Sequence, residues 1–427
     1  MVMSLFSPVT ALATDTVAAE QNETVQVYAE TEGENTDNLA DTSGEPEELP
    51  IEKQVQVISG VESTYSTVYG GDSITLAPIT TGDGTFSFAS DNSAAVEIDA
   101  ASGEMTVKGA GEATVTITAS ETETYQEAQI TTRVTVEKAK QTICGVSSSY
   151  AKVYKSGGTF TLKGKTSGDG AVTYKSDDTS VATVGKSSGK VTMKKRGVCT
   201  ITVTAATTTN YSKATKKIKV VLYKKAVSLK SSKYYKKSKF YKQLMALQLT
   251  GSNRKNILTI ANSQMGYQEG NKLSHLGGTR CGSKNYTEYG YYYGLQGAWC
   301  AMFVNWGARE NGTSKKVIPG YCAVMNYYSY YNKKGQHFYS WARTKGGKGS
   351  YTPKAGDLIF YSTRLGGSTH HIGYVRSCSI KSGKITVTTL EGNTSDQARS
   401  KTYTLKCGRN GKISSCWYIK GFASPNY

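Results

Sequence analysis

Short alternating runs mark the first half of the chain. In Thr114-Val115-Thr116-Ile117-Thr118 the threonines fall on one face and the aliphatics on the other, the two-residue period of a half-buried strand. The run Ala113 to Thr118 returns as Cys199 to Thr204, 86 residues later. Thr81-Gly82-Asp83-Gly84 returns as Ser167-Gly168-Asp169-Gly170, and Ser102-Gly103-Glu104-Met105 as Ser188-Gly189-Lys190-Val191, at the same spacing. Gly, Asp and Ser clusters separate the runs. Each copy is therefore predicted to be a small β-sandwich, the first over 53–138 and the second over 139–224.

From about residue 251 the apolar runs lengthen and the period changes. Ile257, Ile260, Ala261 and Gln264 stand at helical spacing. Trp299 to Arg309 also reads as a helix, with Cys300, Phe303, Val304 and Gly307 on its inner face and Asn305 and Arg309 pointing elsewhere. Two strands follow. In the first, His371 alternates with Gly373 and Val375, and His370 with Ile372 and Tyr374; in the second, Ile385, Val387 and Thr389 share a face with Glu391. No run reaches the ~18–20 apolar residues of a membrane-spanning helix.

Charge divides the chain. Residues 1–138 hold 24 acids and 4 bases, whereas 139–427 hold 9 acids and 47 bases. The two sandwich copies share this contrast, with 12 acids and 4 bases over 53–138 against 3 acids and 17 bases over 139–225. A common fold with opposite surfaces suggests that only the second copy touches an anion. Residues 1–19 read as the end of a secretory signal peptide and 20–52 as an acidic disordered linker. Residues 225–250 interleave Lys233, Lys236, Lys237, Lys239 and Lys242 with Tyr234, Tyr235, Phe240 and Tyr241, and read as a basic linker that suits anionic wall polymers. Export makes nucleic acid an improbable partner. The eight cysteines contain no C-x-x-C pair, and in an exported chain they favour disulfides. Cys144 with Cys199, and Cys407 with Cys416, are the expected bridges.

Cys300 falls in the first turn of its predicted helix. There the dipole favours a thiolate, and unpaired backbone N–H groups can face an oxyanion. A nucleophilic cysteine needs a base, and either His370 or His371 can face it, since neighbours on a strand point to opposite sides. Glu391, at the end of an inward face, needs a partner once buried, and an imidazole would supply one. Asn393 lies two residues on.

This order of Cys, His and Glu is that of a papain-like site. The stretches Asn285 to Gly290, Gly297-Ala298-Trp299-Cys300-Ala301, Gly356-Asp357-Leu358, His371-Ile372-Gly373-Tyr374-Val375 and Glu391-Gly392-Asn393 resemble the CHAP domain, the cysteine- and histidine-dependent amidohydrolase/peptidase family, across about 251–427. The repeats around 176–204 resemble bacterial Ig-like domains. The resemblance implies two all-β Ig-like sandwiches followed by an α+β papain-like domain. It implies Cys300 as nucleophile, His371 as general base and acid, Glu391 as its orienting group and Asn393 as an aid. By looser analogy Gln296 donates to the oxyanion. It implies peptidoglycan as substrate, no metal or cofactor, and a secreted, wall-associated monomer. A non-catalytic wall-binding adhesin is the alternative.

Overall fold

The computed structural model describes residues 52–333, 337–340, 351–363, 367–406 and 418–427. The repeat forms two sandwiches. In the first, a four-stranded sheet runs Thr64–Val68, Ala128–Glu137, Gly111–Ala119, Phe86–Ser90, and faces a three-stranded sheet of Ile74–Thr75, Glu104–Val107 and Val96–Ile98. The second repeats this with Ser149–Val153, Ala214–Tyr223, Gly197–Ala205 and Val172–Ser176 over Thr159–Thr161, Lys190–Met193 and Ala182–Val184. The alternation predicted for 199–204 is what places Cys199, Ile201 and Val203 in the core and Thr200, Thr202 and Thr204 outside.

The expected Cys144–Cys199 bridge is not formed. Cys199 points into the core at 2% exposure, while Cys144 follows buried Ile143 on a short strand and faces solvent. Strand parity sends the two thiols to opposite sides. Cys407 and Cys416 lie outside the described residues.

Residues 225–250 are packed against the C-terminal domain. Helices α1 (Lys233–Lys236) and α2 (Lys239–Met245) are capped by Ser232 and Ser238. Their Tyr235, Phe240 and Leu244 sit in the same core as α3 (Asn253–Asn262), α4 (Glu288–Tyr293), α5 (Cys300–Glu310) and α6 (Val324–Tyr331). Of the aromatics interleaved with lysines, Tyr235 and Phe240 are thus core residues and Tyr241 packs against the core, while Tyr234 lies outside it under Lys233, and the lysines are the solvated side of the same turns. Two buried carboxylates hold the segment. Glu310 accepts from the N–H groups of Ser228 and Leu229 at 2.9 and 3.0 Å, and Glu288 from Ser232 N and Oγ at 3.0 and 2.7 Å.

The helices cover one face of an antiparallel six-stranded sheet. Its strands are β1 (Phe338–Ser340), β2 (Leu358–Ser362), β3 (Thr369–Lys381), β4 (Lys384–Thr394), β5 (Gln397–Lys406) and β6 (Ile419–Ala423), in the order β1-β6-β2-β3-β4-β5. Leu358, Phe360, Ile372, Tyr374 and Leu390 pack with the helices. Ile359, Tyr361, Val375, Ile385 and Val387 form a second cluster with Leu405 and Phe422. Asp357 of the Gly-Asp-Leu stretch is a structural clamp: its carboxylate takes Arg254 Nη1 and Tyr351 OH at 2.6 Å and Lys354 N at 2.7 Å.

Candidate active site

The helix predicted over Trp299 to Arg309 is α5, which runs Cys300–Glu310, so Cys300 stands in its first turn as expected, and the helix is buried almost all round. Asn305, expected to point elsewhere, is fully buried, its amide donating to Tyr321 O at 3.2 Å. The helix runs between α3, α4 and the sheet, so it has no solvated polar face beyond Arg309. Trp299 occupies the N-cap, offers no side-chain acceptor, and no acid stands in the first turn. The first N–H groups of α5 therefore meet no side-chain cap. Trp299 is held in place by Glu269, whose Oε2 accepts the indole N–H at 2.8 Å, and by stacking on Tyr289 at 5.2 Å. These buried contacts fix where Cys300 starts.

The sheet register brings in the other two groups. Tyr361 on β2 lies opposite His371 on β3, and Gly373 on β3 opposite Glu391 on β4. A Cβ on Gly373 would stand 2.7 Å from Glu391 Cγ, so the missing side chain makes room for the carboxylate. A Cβ on Gly392 would stand 2.5 Å from Phe303 Cβ, which is how closely β4 approaches α5. His371 Nε2 lies 3.0 Å from Glu391 Oε2. Cys300 stands near enough to the imidazole to raise its pKa.

Glu391 is 1% exposed and surrounded by donors. Its Oε1 accepts from Tyr361 OH at 2.6 Å, from Tyr403 OH at 3.0 Å and from Thr389 Oγ1. Its Oε2 accepts from Thr394 Oγ1 at 3.0 Å besides His371. Burial raises the cost of its charge, but the bonds from His371, Thr389 and Tyr361 prevail and hold the carboxyl well below the usual range. Burial likewise opposes the imidazolium of His371, yet the bonds and charges of Cys300 and Glu391 raise it to about 9. The arrangement stabilises an ionic pair whose far side is a sulfur at a helix N-terminus.

Asn393 does not reach His371 by a hydrogen bond. The register shifts between Glu391 and Thr394, with Asn393 at φ 57°, and the shift turns Thr394 to the Glu391 side, 3.3 Å from His371 Nε2. Asn393 instead lines an open cavity of about 530 Å³ with His370, His371, Glu391, Lys401 and Tyr403. Cys300, 3% exposed, is not among its walls. His370 is exposed on this rim; partial desolvation of its ring and the neighbouring His371 hold its pKa down. Gln296 is not brought to the pair. Its amide donates to Lys284 O at 2.7 Å, and the side chain lines a separate cavity with Leu273 and Tyr291. Sequence reasoning missed Tyr361, Thr389, Thr394 and Tyr403. Thr389 alone carried a signal, since it shares the inward face of Glu391.

Residues 289–393 match the family model of the CHAP domain, a span that begins in α4 and ends just past Glu391. Residues 80–121 and 152–207 match the model "Intimin, immunoglobulin-like domain". The C-terminal region is thus a CHAP domain, of cysteine/histidine amidohydrolases and peptidases, preceded by Ig-like sandwiches. A comparison with curated proteins finds no match. Among solved structures, Drosophila N-cadherin EC1-4 is 13% identical over 39% of this chain and 50% of that one, with a TM-score of 0.18. The C-terminal 282-residue fragment of intimin, in complex with the intimin-binding domain of its translocated receptor, is 18% identical over 48% and 79%, at 0.20. Surface layer protein SbsC, domains 1-6, is 22% identical over 42% and 29%, at 0.19. The chain spans half the length of the N-cadherin fragment and under a third of the SbsC one.

Proposed function

We propose that this chain, with a CHAP domain behind two Ig-like sandwiches, is a secreted peptidoglycan hydrolase that cuts an amide bond of the wall peptide. The observation that carries the reading is the linked set of Cys300, His371 and Glu391, with the carboxylate buried and the sulfur opening a helix. The Cys300 thiolate attacks the amide carbonyl. The C–S bond forms as the carbonyl π pair moves to oxygen, and the α5 N–H groups face that oxyanion. The oxyanion collapses, the C–N bond breaks, and His371 gives its proton to the leaving amine. His371 then takes a proton from water, whose oxygen attacks the thioester and releases the acid and Cys300. Glu391 holds the ring through both steps and balances the imidazolium.

The substrate is an N-acetylmuramoyl–L-alanine amide or a peptide bond of the stem or cross-bridge. The basic half of the chain supports a further contact with anionic wall polymers. Mass spectrometry of fragments released from purified walls by the full chain tests the reading. A new L-alanine amino terminus marks an amidase, and new termini further along the peptide mark an endopeptidase. No release from several wall types, by native protein and Cys300→Ala alike, sinks it. The Ig-like match fits equally a second reading, a non-catalytic surface adhesin or wall-binding protein, in which Cys300→Ala changes nothing.

A further inference from the structure

The two sandwiches share an outward row of threonines and differ in what surrounds it. Thr114, Thr116 and Thr118 of the first correspond to Thr200, Thr202 and Thr204 of the second. In the first, the positions around the row are Ala89, Ala100, Thr131 and Arg133; in the second they are Lys175, Lys186, Lys217 and Lys219. Register sets three of these lysines on one face, Lys175 opposite Thr202, Thr202 opposite Lys217, and Thr200 opposite Lys219. Lys186 closes the side of the face, where it lines a cavity of about 380 Å³ with Thr173, Lys175, Thr202 and Thr204. All four lysines are exposed.

The charges on the two faces are handled differently. In the first sandwich Arg133 is paired with Glu112 at 3.0 Å. In the second, Val198 stands where Glu112 was, and Lys219 where Arg133 was. The three acids of the second sandwich are occupied close by. Asp169 takes Thr208 Oγ1 at 2.7 Å, Asp177 takes Thr200 N at 2.7 Å, and Asp178 takes Ser180 N and Oγ at 2.9 and 2.6 Å. Among the described residues none of the four lysines makes an ion pair. Where the first sandwich has two alanines, a threonine and an arginine paired with Glu112, the second carries four lysines on one face with no ion pair among the described residues.

We infer that this Lys/Thr face of the second sandwich is a docking surface for a linear phosphodiester-linked polyanion of the wall. Lys217 and Lys219 are about 6.8 Å apart along their strand, and Lys175 is about 10 Å from Lys217 across two strand spacings. That spread suits repeated anionic groups along a chain better than one phosphate. Threonine hydroxyls between the ammonium groups can donate to the phosphate oxygens. The choice of a wall polymer over a nucleic acid rests on the wall-hydrolase reading. The face itself does not.

The test uses the full chain and long-chain polyphosphate as probe. The variant Lys175→Gln/Lys186→Gln/Lys217→Gln/Lys219→Gln is compared with Lys155→Gln/Lys163→Gln/Lys165→Gln/Lys194→Gln, which removes equal charge elsewhere on the sandwich. All eight positions are exposed, and thermal unfolding checks that both variants fold. The first variant is expected to lose about tenfold or more in affinity near 0.1 M salt, with the log–log salt slope falling by about 3, while the second keeps both. Equal loss in both variants, or loss in neither, overturns the proposal. So does single-stranded DNA held as tightly by the same four lysines. Hydrolysis of walls stripped of phosphodiester polymer, measured in parallel, is expected to be unchanged. If the native protein binds polyphosphate through this face yet hydrolyses no wall, the hydrolase reading fails and the face stands.

Discussion

His371 Nε2 lies 3.0 Å from Glu391 Oε2, while the other oxygen of that carboxylate already accepts three hydroxyls. The ring is therefore aimed by an anion that cannot easily turn away. Cys300, at the start of α5, also acts to raise the pKa of the ring.

Cys300→Ala removes the proposed nucleophile from a site that keeps its fold. Turnover is expected to fall by about 10³-fold or more, with wall binding retained. Fragment release and wall co-sedimentation, measured on the same preparation, check both halves.

The pH profile follows from the pair. His371 is held as imidazolium up to about 9, so the acid form is present below that pH and lost above it. The alkaline limb of kcat/KM is expected near pH 9. In Glu391→Gln the anion is gone, the imidazolium keeps only the support of Cys300, and the limb moves down from about 9 toward the ordinary histidine value of ~6.5. A limb that stays near pH 9 in that variant contradicts the pairing.

Two glycines separate positioning from packing. Gly373→Ala places a Cβ 2.7 Å from Glu391 Cγ, and is expected to cost at least about tenfold in kcat while the fold survives. Gly392→Ala meets Phe303 at 2.5 Å and Trp299 at 2.9 Å, and is expected to lower stability by ~1–3 kcal/mol. Thermal unfolding and steady-state rates on both variants distinguish the two effects.

Glu288 gives the docked 225–250 segment a pH dependence. Burial, aided by the charge of Glu310 and opposed by the bonds from Ser232, raises its pKa to about 7. The folded state therefore holds this proton more tightly than the unfolded chain. Stability from this group is complete below ~4.3 and declines as pH rises to about 7, by on the order of 3 kcal/mol. Glu288→Gln is expected to flatten that part of the curve. Melting temperatures of both proteins between pH 4 and 8 test it.

Patterns that repeat along the chain were legible without the fold. The alternation of 113–118 and 199–204, and the 86-residue repeat, determine two half-buried sandwiches because strand parity is a local property. Cys300 in the first turn of a helix is local in the same way. Which of His370 and His371 turns to Glu391 was left open by alternation, and only the pairing of β3 with β2 and β4 decides it. The same holds for Tyr361, Tyr403 and Thr394, which reach one carboxylate from three strands, the last through a register shift that no periodicity announces. The Lys/Tyr segment shows the limit from the other side. Its composition reads as a solvated linker, but Tyr235 and Phe240 have a core to enter, and Glu288 and Glu310 accept the backbone N–H groups that docking would otherwise leave unpaired. A burial that depends on partners 56 to 82 residues away in the chain is decided by the tertiary structure alone.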